Sequence, residues 1–186
     1  MNLASSTEEI GSWEALTTME GAGPLAATEV AGFEAWYRAE HPRVQGIVAA
    51  LTGRRDLALD ATDEAFVRAW ARWARVSKME APGAWTVRVA LNCAKRAQRH
   101  RSSEASPTRQ LEWVPPSDAG LWELVRALPL QQRTAIVLHH VGGFTHAEIA
   151  QAMNVRIGTV GSTLHAAHRK LREMLAATEE EAGING

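Results

Sequence analysis

Cysteine, long apolar runs and basic residues near the start are all scarce in this chain of 186 residues. The single cysteine, Cys93, excludes an intrachain disulfide framework and a zinc site built from thiolates. No apolar stretch reaches the roughly 18 residues that a membrane span needs, and acids stand where a signal peptide has its basic segment. These absences predict a soluble cytoplasmic protein without membrane insertion.

Positive charge is unevenly distributed. Residues 1–30 contain five glutamates and no Lys or Arg, whereas residues 31–101 contain 13 basic and 7 acidic residues. The basic middle of the chain is therefore the candidate for binding a polyanion such as nucleic acid. As a hypothesis, the acidic first segment folds over the basic one and inhibits it electrostatically.

Apolar periodicity divides the chain into two helical parts. We predict a disordered acidic leader (1–28), a helical bundle (29–101), an extended Pro-rich linker (102–118), a second bundle (119–177) and an acidic tail (178–186). No segment alternates in the manner of a β-strand. The predicted fold class is all-α, with two small helical bundles joined by an extended linker.

Breaks between helices in the first bundle are predicted at Pro42, Gly53 and Pro82. The clearest helix runs from about 56 to 76, and the next begins at Pro82 with Trp85, Val89 and Cys93 on one buried face. The tryptophans at 70, 73 and 85 are interpreted as core residues.

The second bundle contains four predicted helices, at about 119–127, 130–141, 145–152 and 156–177. Asn154 stands between the last two, where the chain needs a residue that tolerates left-handed backbone geometry. This turn predicts a helix-turn-helix, and the alternative is a plain helical hairpin without a ligand.

Two charge patterns suggest binding surfaces in the first bundle. Five Lys or Arg and no acid lie between Arg88 and Arg101, which suits phosphate neutralisation, and Asn92 can hydrogen-bond a base edge. The helix before it carries three carboxylates on one face, followed by a basic residue one turn beyond. That face suits a basic partner helix, although such faces are often merely solvated.

Two long segments resemble bacterial sigma factors of the extracytoplasmic-function group. The segment 128–175, with "LP", "EIA" and "GTV", resembles region 4; "DATDEAFVRAWARW" and "APGAWTVRVALNCAKRAQRHR" resemble region 2. The resemblance implies a sigma factor that binds core RNA polymerase and directs promoter recognition, melting and transcription initiation. It implies contacts of region 2 with the polymerase clamp coiled coil and of region 4 with the flap, besides promoter DNA and an anti-sigma factor.

The resemblance also implies three sets of site residues. The polymerase-binding set is Asp60, Asp63, Glu64 and Arg68. The minus-ten DNA set is Lys78, Met79, Arg88, Asn92, Lys95, Arg96 and Arg99, in which Lys78 and Met79, together with Glu80, line a pocket for an extruded base. The minus-thirty-five set is Arg156, Thr159, Ser162, Thr163, His165 and Arg169.

The recognition helix departs from the family pattern. Gly161 and Thr163 stand where relatives commonly carry basic residues, so this helix is expected to contribute mainly short polar contacts and phosphate anchoring. An alternative function is therefore a sigma-like decoy that titrates an anti-sigma factor without reading DNA. An enzyme is not expected, and no catalytic residue, metal site or cofactor is predicted, because the histidines lack a matched third ligand.

Overall fold

The computed structural model describes residues 27–103 and 119–184, and these parts of the chain are helical, without a β-strand. The helices are α1 (Ala27–Thr52), α2 (Arg55–Trp70), α3 (Trp73–Val76), α4 (Pro82–Ser103), α5 (Ala119–Ala127), α6 (Leu130–Ile136), α7 (His146–Met153) and α8 (Ile157–Ile184). A π-helical turn, Val137–Val141, directly follows α6. The predicted all-α fold class is confirmed. Most of the predicted leader and nearly all of the predicted linker lie outside the described residues.

The first unit, α1 to α4, contains a helix that passes through a proline. The predicted break at Pro42 is wrong, because α1 continues without interruption from Ala27 to Thr52. Pro42 has no backbone N–H to donate, so packing has to compensate for the lost hydrogen bond. Before it, Trp36 packs against Phe66 with ring centroids 4.9 Å apart, and after it Val44 and Ile47 are completely buried.

The predicted single helix over 56–76 is instead two helices. The backbone leaves helical geometry at Arg72, with φ −128° and ψ 21°, and α3 is a single turn. A continuous helix would place Trp70 and Trp73 on one face. The break lets Trp73 and Val76 enter the core while Trp70 remains 38% exposed. The expectation that all three tryptophans are core residues thus holds for Trp73 and Trp85 only.

The other two predicted breaks between helices of this unit, at Gly53 and Pro82, are confirmed. Gly53 ends α1 with a φ of +69°, which a residue with a side chain adopts only with strain. Helix α4 begins at Pro82, whose fixed φ and missing N–H suit a first helical turn. Trp85, Val89 and Cys93 are all buried on one face of α4, as their spacing predicts.

The second unit, α5 to α8, contains the predicted helix-turn-helix. Thr145 caps α7 reciprocally with Glu148, each side chain bonding to the other residue's backbone N–H. Asn154 ends α7 in the left-handed conformation, with φ 58° and ψ 49°, and is the only non-glycine residue with a positive φ in the described ranges. Helix α8 continues to Ile184, past the boundary predicted near 177.

The two units pack against each other and share a hydrophobic core. Helix α1 contacts the π-helical turn, and α4 contacts α7. Ile47 of α1 lies directly against Gly142, where an added Cβ would come within 2.9 Å of the Ile47 Cδ1 atom. Leu138 and Phe144, on either side of Gly142, are buried in the same cluster. The sequence analysis treats the units as separate bundles and does not predict this interface.

Candidate nucleic-acid and polymerase interface

Helix α4 presents one polar, cationic stripe. Arg88, Asn92, Lys95 and Arg99 follow one another at intervals of four, three and four residues, which places them along one helical face. Asn92, Lys95 and Arg99 are exposed and Arg88 is half-buried. The stripe is held in place by the opposite, buried face of α4. Such a row of fixed cations around one amide can contact phosphates and a base edge.

Arg96 lies at the border of this stripe and joins α4 to α2. Its guanidinium donates to a carboxylate oxygen of Glu64, and Arg68 donates to the same oxygen at 2.6 Å. Burial raises the pKa of Glu64, but the hydrogen bond from Arg96 and the charges of Arg68 and Arg96 outweigh it, so the pKa is lowered overall. The structure therefore pairs two residues that the sequence analysis assigns to different partners.

Arg88 lies where the two units meet. Its Nη1 atom donates to the Oδ1 atom of Asn154 at 3.3 Å, and burial lowers the pKa of its guanidinium. A cleft of about 650 Å³ opens beside this contact. From the first unit the cleft is lined by Leu51, Thr52, Arg88, Leu91, Asn92, Ala94, Lys95 and Gln98, and from the second mainly by α6 and the end of α7. Much of the cationic stripe thus faces the second unit.

The loop before α4 carries the residues predicted to capture a base. Lys78 and Glu80 are exposed, whereas Met79 is partly buried and packs on the core. The loop adjoins the start of α4, so Lys78 stands on the same unit as the cationic stripe. Because Met79 packs on the core, its side chain is less free to move than those of its exposed neighbours Lys78 and Glu80.

The exposed face of α2 is both acidic and apolar. Asp60 and Asp63 are exposed, and Asp63 lies 2.7 Å from the Nε2 atom of His41. Val67, Leu59 and Trp70 lie on the same side of the helix and are 58%, 43% and 38% exposed. The sequence analysis did not single out Leu59 and Val67, although their spacing from the buried residues of α2 places them outside. Glu64 and Arg68 are only half-buried and turn toward α4.

The start of α8 carries the residues predicted to contact the minus-thirty-five element. Arg156, Thr159, Ser162, His165 and Arg169 are exposed. The Ser162 hydroxyl donates to the Thr159 carbonyl at 3.0 Å, and Arg169 pairs with Glu173 at 3.8 Å.

Thr163 differs from its neighbours on α8. It is half-buried and lines a shallow groove with Pro129, Gln131 and Gln132, and its hydroxyl donates to the Thr159 carbonyl at 2.7 Å. Ser162 lines the same groove but is exposed, so Thr163 is the half-buried member of the set and lies beside α6.

Gly161 offers open space at the start of α8, since an added Cβ would meet no atom within 4 Å. We expect Gly161→Arg to tighten binding of a minus-thirty-five duplex severalfold and to steepen its salt dependence, because one more phosphate is neutralised. Gly161→Ala is the matched control. It should raise the free energy of unfolding by about 0.5–1 kcal/mol without changing the salt dependence. Fluorescence anisotropy at several salt concentrations measures the affinity and the salt slope of duplex binding for each variant. Equal salt slopes for the Arg and Ala variants would contradict the expectation.

Two histidines of the second unit meet side by side. The Nε2 atoms of His140 and His168 are 2.9 Å apart, and the rings of His139 and His140 are 4.8 Å apart. Burial, together with the neighbouring His139 and His168, lowers the pKa of His140 below its ordinary value of 6.5. A proton therefore binds the unfolded chain more readily than the folded one.

We expect this histidine pair to make stability depend on pH. As the pH falls through 6.5 toward the lower folded-state pKa of His140, the unfolded state gains protons first, so the free energy of unfolding decreases. Thermal melts at pH 7.5 and 5.5 should show a smaller loss of Tm in His140→Gln than in the wild type. The exposed His165→Gln is the control, and an identical pH dependence in all three proteins would refute the effect.

Cys93 is a buried thiol. It is 2% exposed, and burial raises the pKa of its thiol to about 11, with a smaller lowering effect from Arg68 and a smaller raising effect from Glu64. The protonated form dominates at neutral pH, so this side chain acts as a packing residue. Among the described helices, none is long and apolar enough to cross a membrane.

Comparisons with known proteins match both units. Residues 36–104 match the family described as Sigma-70 region 2, and residues 119–171 match Sigma-70, region 4. The RNA polymerase sigma-E factor of Streptomyces coelicolor is 33% identical over 67% of this chain and 75% of its own length. The RNA polymerase sigma-E factor of Streptomyces avermitilis is 30% identical over 85% of this chain and 93% of its own.

A solved structure has a similar fold. It is the sigma factor RpoE of Bartonella quintana, crystallised in complex with the anti-sigma factor NepR. The TM-score is 0.64, the identity is 21%, and the match covers 78% of this chain and 97% of that chain. This likeness shows that the helices of both units are arranged as in a known fold.

Proposed function

Because this chain belongs to the extracytoplasmic-function group of the sigma-70 family and is an RNA polymerase sigma factor, we propose specific roles for its surfaces. The exposed face of α2 binds the clamp coiled coil of core RNA polymerase. The cationic stripe of α4 binds the minus-ten element, and the start of α8 binds the minus-thirty-five element. The decoy alternative is not favoured, since the relatives are themselves named sigma factors.

The observation that carries the minus-ten proposal is the composition of α4. Its exposed stripe has Lys95 and Arg99 beside Asn92, and no acid occurs between Arg88 and Arg101. Each neutralised phosphate contributes about 0.9 to the logarithmic salt slope, so the cations supply affinity that is largely independent of sequence. Asn92 lies between Arg88 and Lys95 on this stripe, in position to hydrogen-bond a base edge. Lys78 and Met79 supply loop contacts from the same unit.

Polymerase docking is supported by the mixture of residues on the face of α2. Asp60 and Asp63 provide negative charge for steering toward a basic partner, while Leu59 and Val67 provide exposed apolar surface to bury. For Glu64 and Arg68 we propose a role other than direct contact with the polymerase. Because both join the ion pair with Arg96, we propose that they orient α2 against α4 and contribute to docking through that arrangement.

The recognition helix is proposed to anchor the upstream element. Arg156 stands at the start of α8 with Thr159 and Ser162 exposed within the next two turns, and His165 and Arg169 follow along the helix. The helix N-terminus adds a partial positive charge that favours a phosphate. Thr163, which faces α6, is proposed to contribute least among the minus-thirty-five residues.

An anti-sigma factor is a proposed further partner. The structural relative of similar fold was crystallised with one, which supports a protein inhibitor for this chain as well. The flap of the polymerase is the proposed partner of the second unit.

Gel filtration of the full chain with core polymerase tests the proposed function at its first step. We expect a stable complex that elutes with the polymerase and that initiates from a defined start site. Absence of the chain from the polymerase fraction would overturn the proposal.

A further inference from the structure

Arg43 of α1 holds the second unit against the first. Its Nε atom donates to the Gly142 carbonyl at 2.6 Å, and its guanidinium carbon lies 4.0 Å above the centre of the Phe144 ring. Glu40 accepts from the Nη1 atom of Arg43 at 3.1 and 3.2 Å, which fixes the direction of the side chain. The Arg43 guanidinium is thus held by a carboxylate of its own helix and contacts a carbonyl and an aromatic ring of the second unit.

The packing around Arg43 leaves little freedom at this contact. Gly142 ends the π-helical turn, with its N–H bonded to the Val137 carbonyl at 2.9 Å. A Cβ at this position would come within 2.6 Å of the Leu138 carbonyl oxygen and within 2.9 Å of the Ile47 Cδ1 atom of α1, so the space around Gly142 is filled from both units. Phe144 is 2% exposed, so the aromatic face under Arg43 belongs to the shared core.

A second contact covers part of the cationic stripe. Asn154, in the turn of the helix-turn-helix, accepts from Arg88 at 3.3 Å. The cleft beside it places Asn92 and Lys95 opposite Gln131 and Thr134 of α6. A DNA strand that tracks along the stripe would have to enter a cleft that the second unit already closes on one side.

This arrangement is incompatible with a promoter bound at both elements. Positions ten and thirty-five upstream of a start site are 25 base pairs apart, which is roughly 85 Å at 3.4 Å per pair. In the structure, the helix proposed for the first element touches the turn that precedes the helix proposed for the second. The 15 residues between Ser103 and Ala119 can span at most roughly 50 Å, which is enough for the units to separate.

We propose that Arg43 with Gly142 and Phe144, and Arg88 with Asn154, form an interunit latch that holds the free chain closed and keeps the minus-ten stripe from DNA. The latch rests on the proposed function in one respect, namely that the α4 stripe reads the minus-ten strand. Binding of the two units to separate sites on the polymerase stabilises the open form, because only that form can occupy both sites.

The test compares the full chain with Arg43→Ala, using Arg38→Ala as the control. Arg38 lies on the same helix, 73% exposed, and its carboxylate partner is Glu34 at 3.6 Å. Small-angle X-ray scattering measures the overall dimension, and fluorescence anisotropy measures binding of a single-stranded oligonucleotide with the minus-ten non-template sequence. We expect Arg43→Ala to expand the chain and to raise its affinity for the oligonucleotide about tenfold, while Arg38→Ala changes neither.

Asn154→Asp tests the latch in the opposite direction. Aspartate tolerates the left-handed backbone at this position and places a carboxylate opposite Arg88. We expect a chain as compact as the wild type, with severalfold lower affinity for the oligonucleotide. Unchanged dimensions in Arg43→Ala, or expansion of Asn154→Asp, would overturn the latch. Expansion of Arg43→Ala without oligonucleotide binding by any of the proteins supports the latch and counts against the proposed minus-ten role instead.

Discussion

Replacing Lys95 with Glu is expected to lower transcription from a cognate promoter at least tenfold at physiological salt. Lys95 is exposed in the middle of the α4 stripe, between Asn92 and Arg99. The substitution removes one phosphate contact and adds a negative charge that repels the same phosphate. Because the side chain lies outside the core, helical content and the affinity for core polymerase should remain those of the wild type.

The measurement is run-off transcription by the reconstituted holoenzyme over a range of salt concentrations. Arg38→Glu serves as the control, since it makes the same change of net charge on an exposed site of the first unit. We expect the logarithmic salt slope of promoter binding to decrease by about one for Lys95→Glu and to stay constant for the control. Equal loss of transcription in both variants would show that net charge matters and the stripe does not.

Val67→Glu is expected to weaken binding to the polymerase clamp at least tenfold. Val67 is 58% exposed at the centre of the α2 face, so its substitution leaves the core intact and the free energy of unfolding nearly unchanged. An exposed apolar residue within an acidic rim is typical of a central contact in a protein interface. A carboxylate in the apolar centre of this face would have to lose its water on docking, which costs free energy.

The matched control is Leu175→Glu, which makes the same kind of change at a 39% exposed leucine of α8. Binding to an immobilised clamp coiled coil isolates the contribution of α2 from contacts made by the second unit. Val67→Glu should lose binding while Leu175→Glu retains it. If Val67→Glu bound the clamp as tightly as the wild type, the docking face would have to lie elsewhere on the first unit.

The sequence predicted those features that depend on interactions between residues close together along the chain. The left-handed turn at Asn154, the start of α4 at Pro82 and the buried face with Cys93 each follow from residues close together in the sequence. The all-α class follows in the same way, because the apolar spacing is helical throughout.

Features that depend on contacts between distant residues were not predicted. Pro42 marks a break by local rules, yet packing of α1 on both sides of it keeps the helix continuous. The break at Arg72 accompanies burial of Trp73, while Trp70 remains 38% exposed. No local signal distinguishes these outcomes.

The candidate sites show the same division. The cationic stripe is visible in the sequence as a run of basic residues without acids, but the pairing of Arg96 with Glu64 joins residues 32 positions apart. Arg43 and Gly142 are 99 positions apart, so neither spacing nor composition indicates their contact. Residue types thus indicate candidate DNA-binding surfaces, and the tertiary structure decides which of their side chains are available.

The most direct test of the account is transcription by core RNA polymerase with and without the purified full-length chain. The template is a promoter identified by mapping start sites after overexpression. We expect a discrete transcript that requires the chain, and loss of that transcript with Lys95→Glu but not with Arg38→Glu. Binding of the chain to core polymerase without any specific transcript, or a transcript unaffected by Lys95→Glu, would contradict the proposed promoter-reading function.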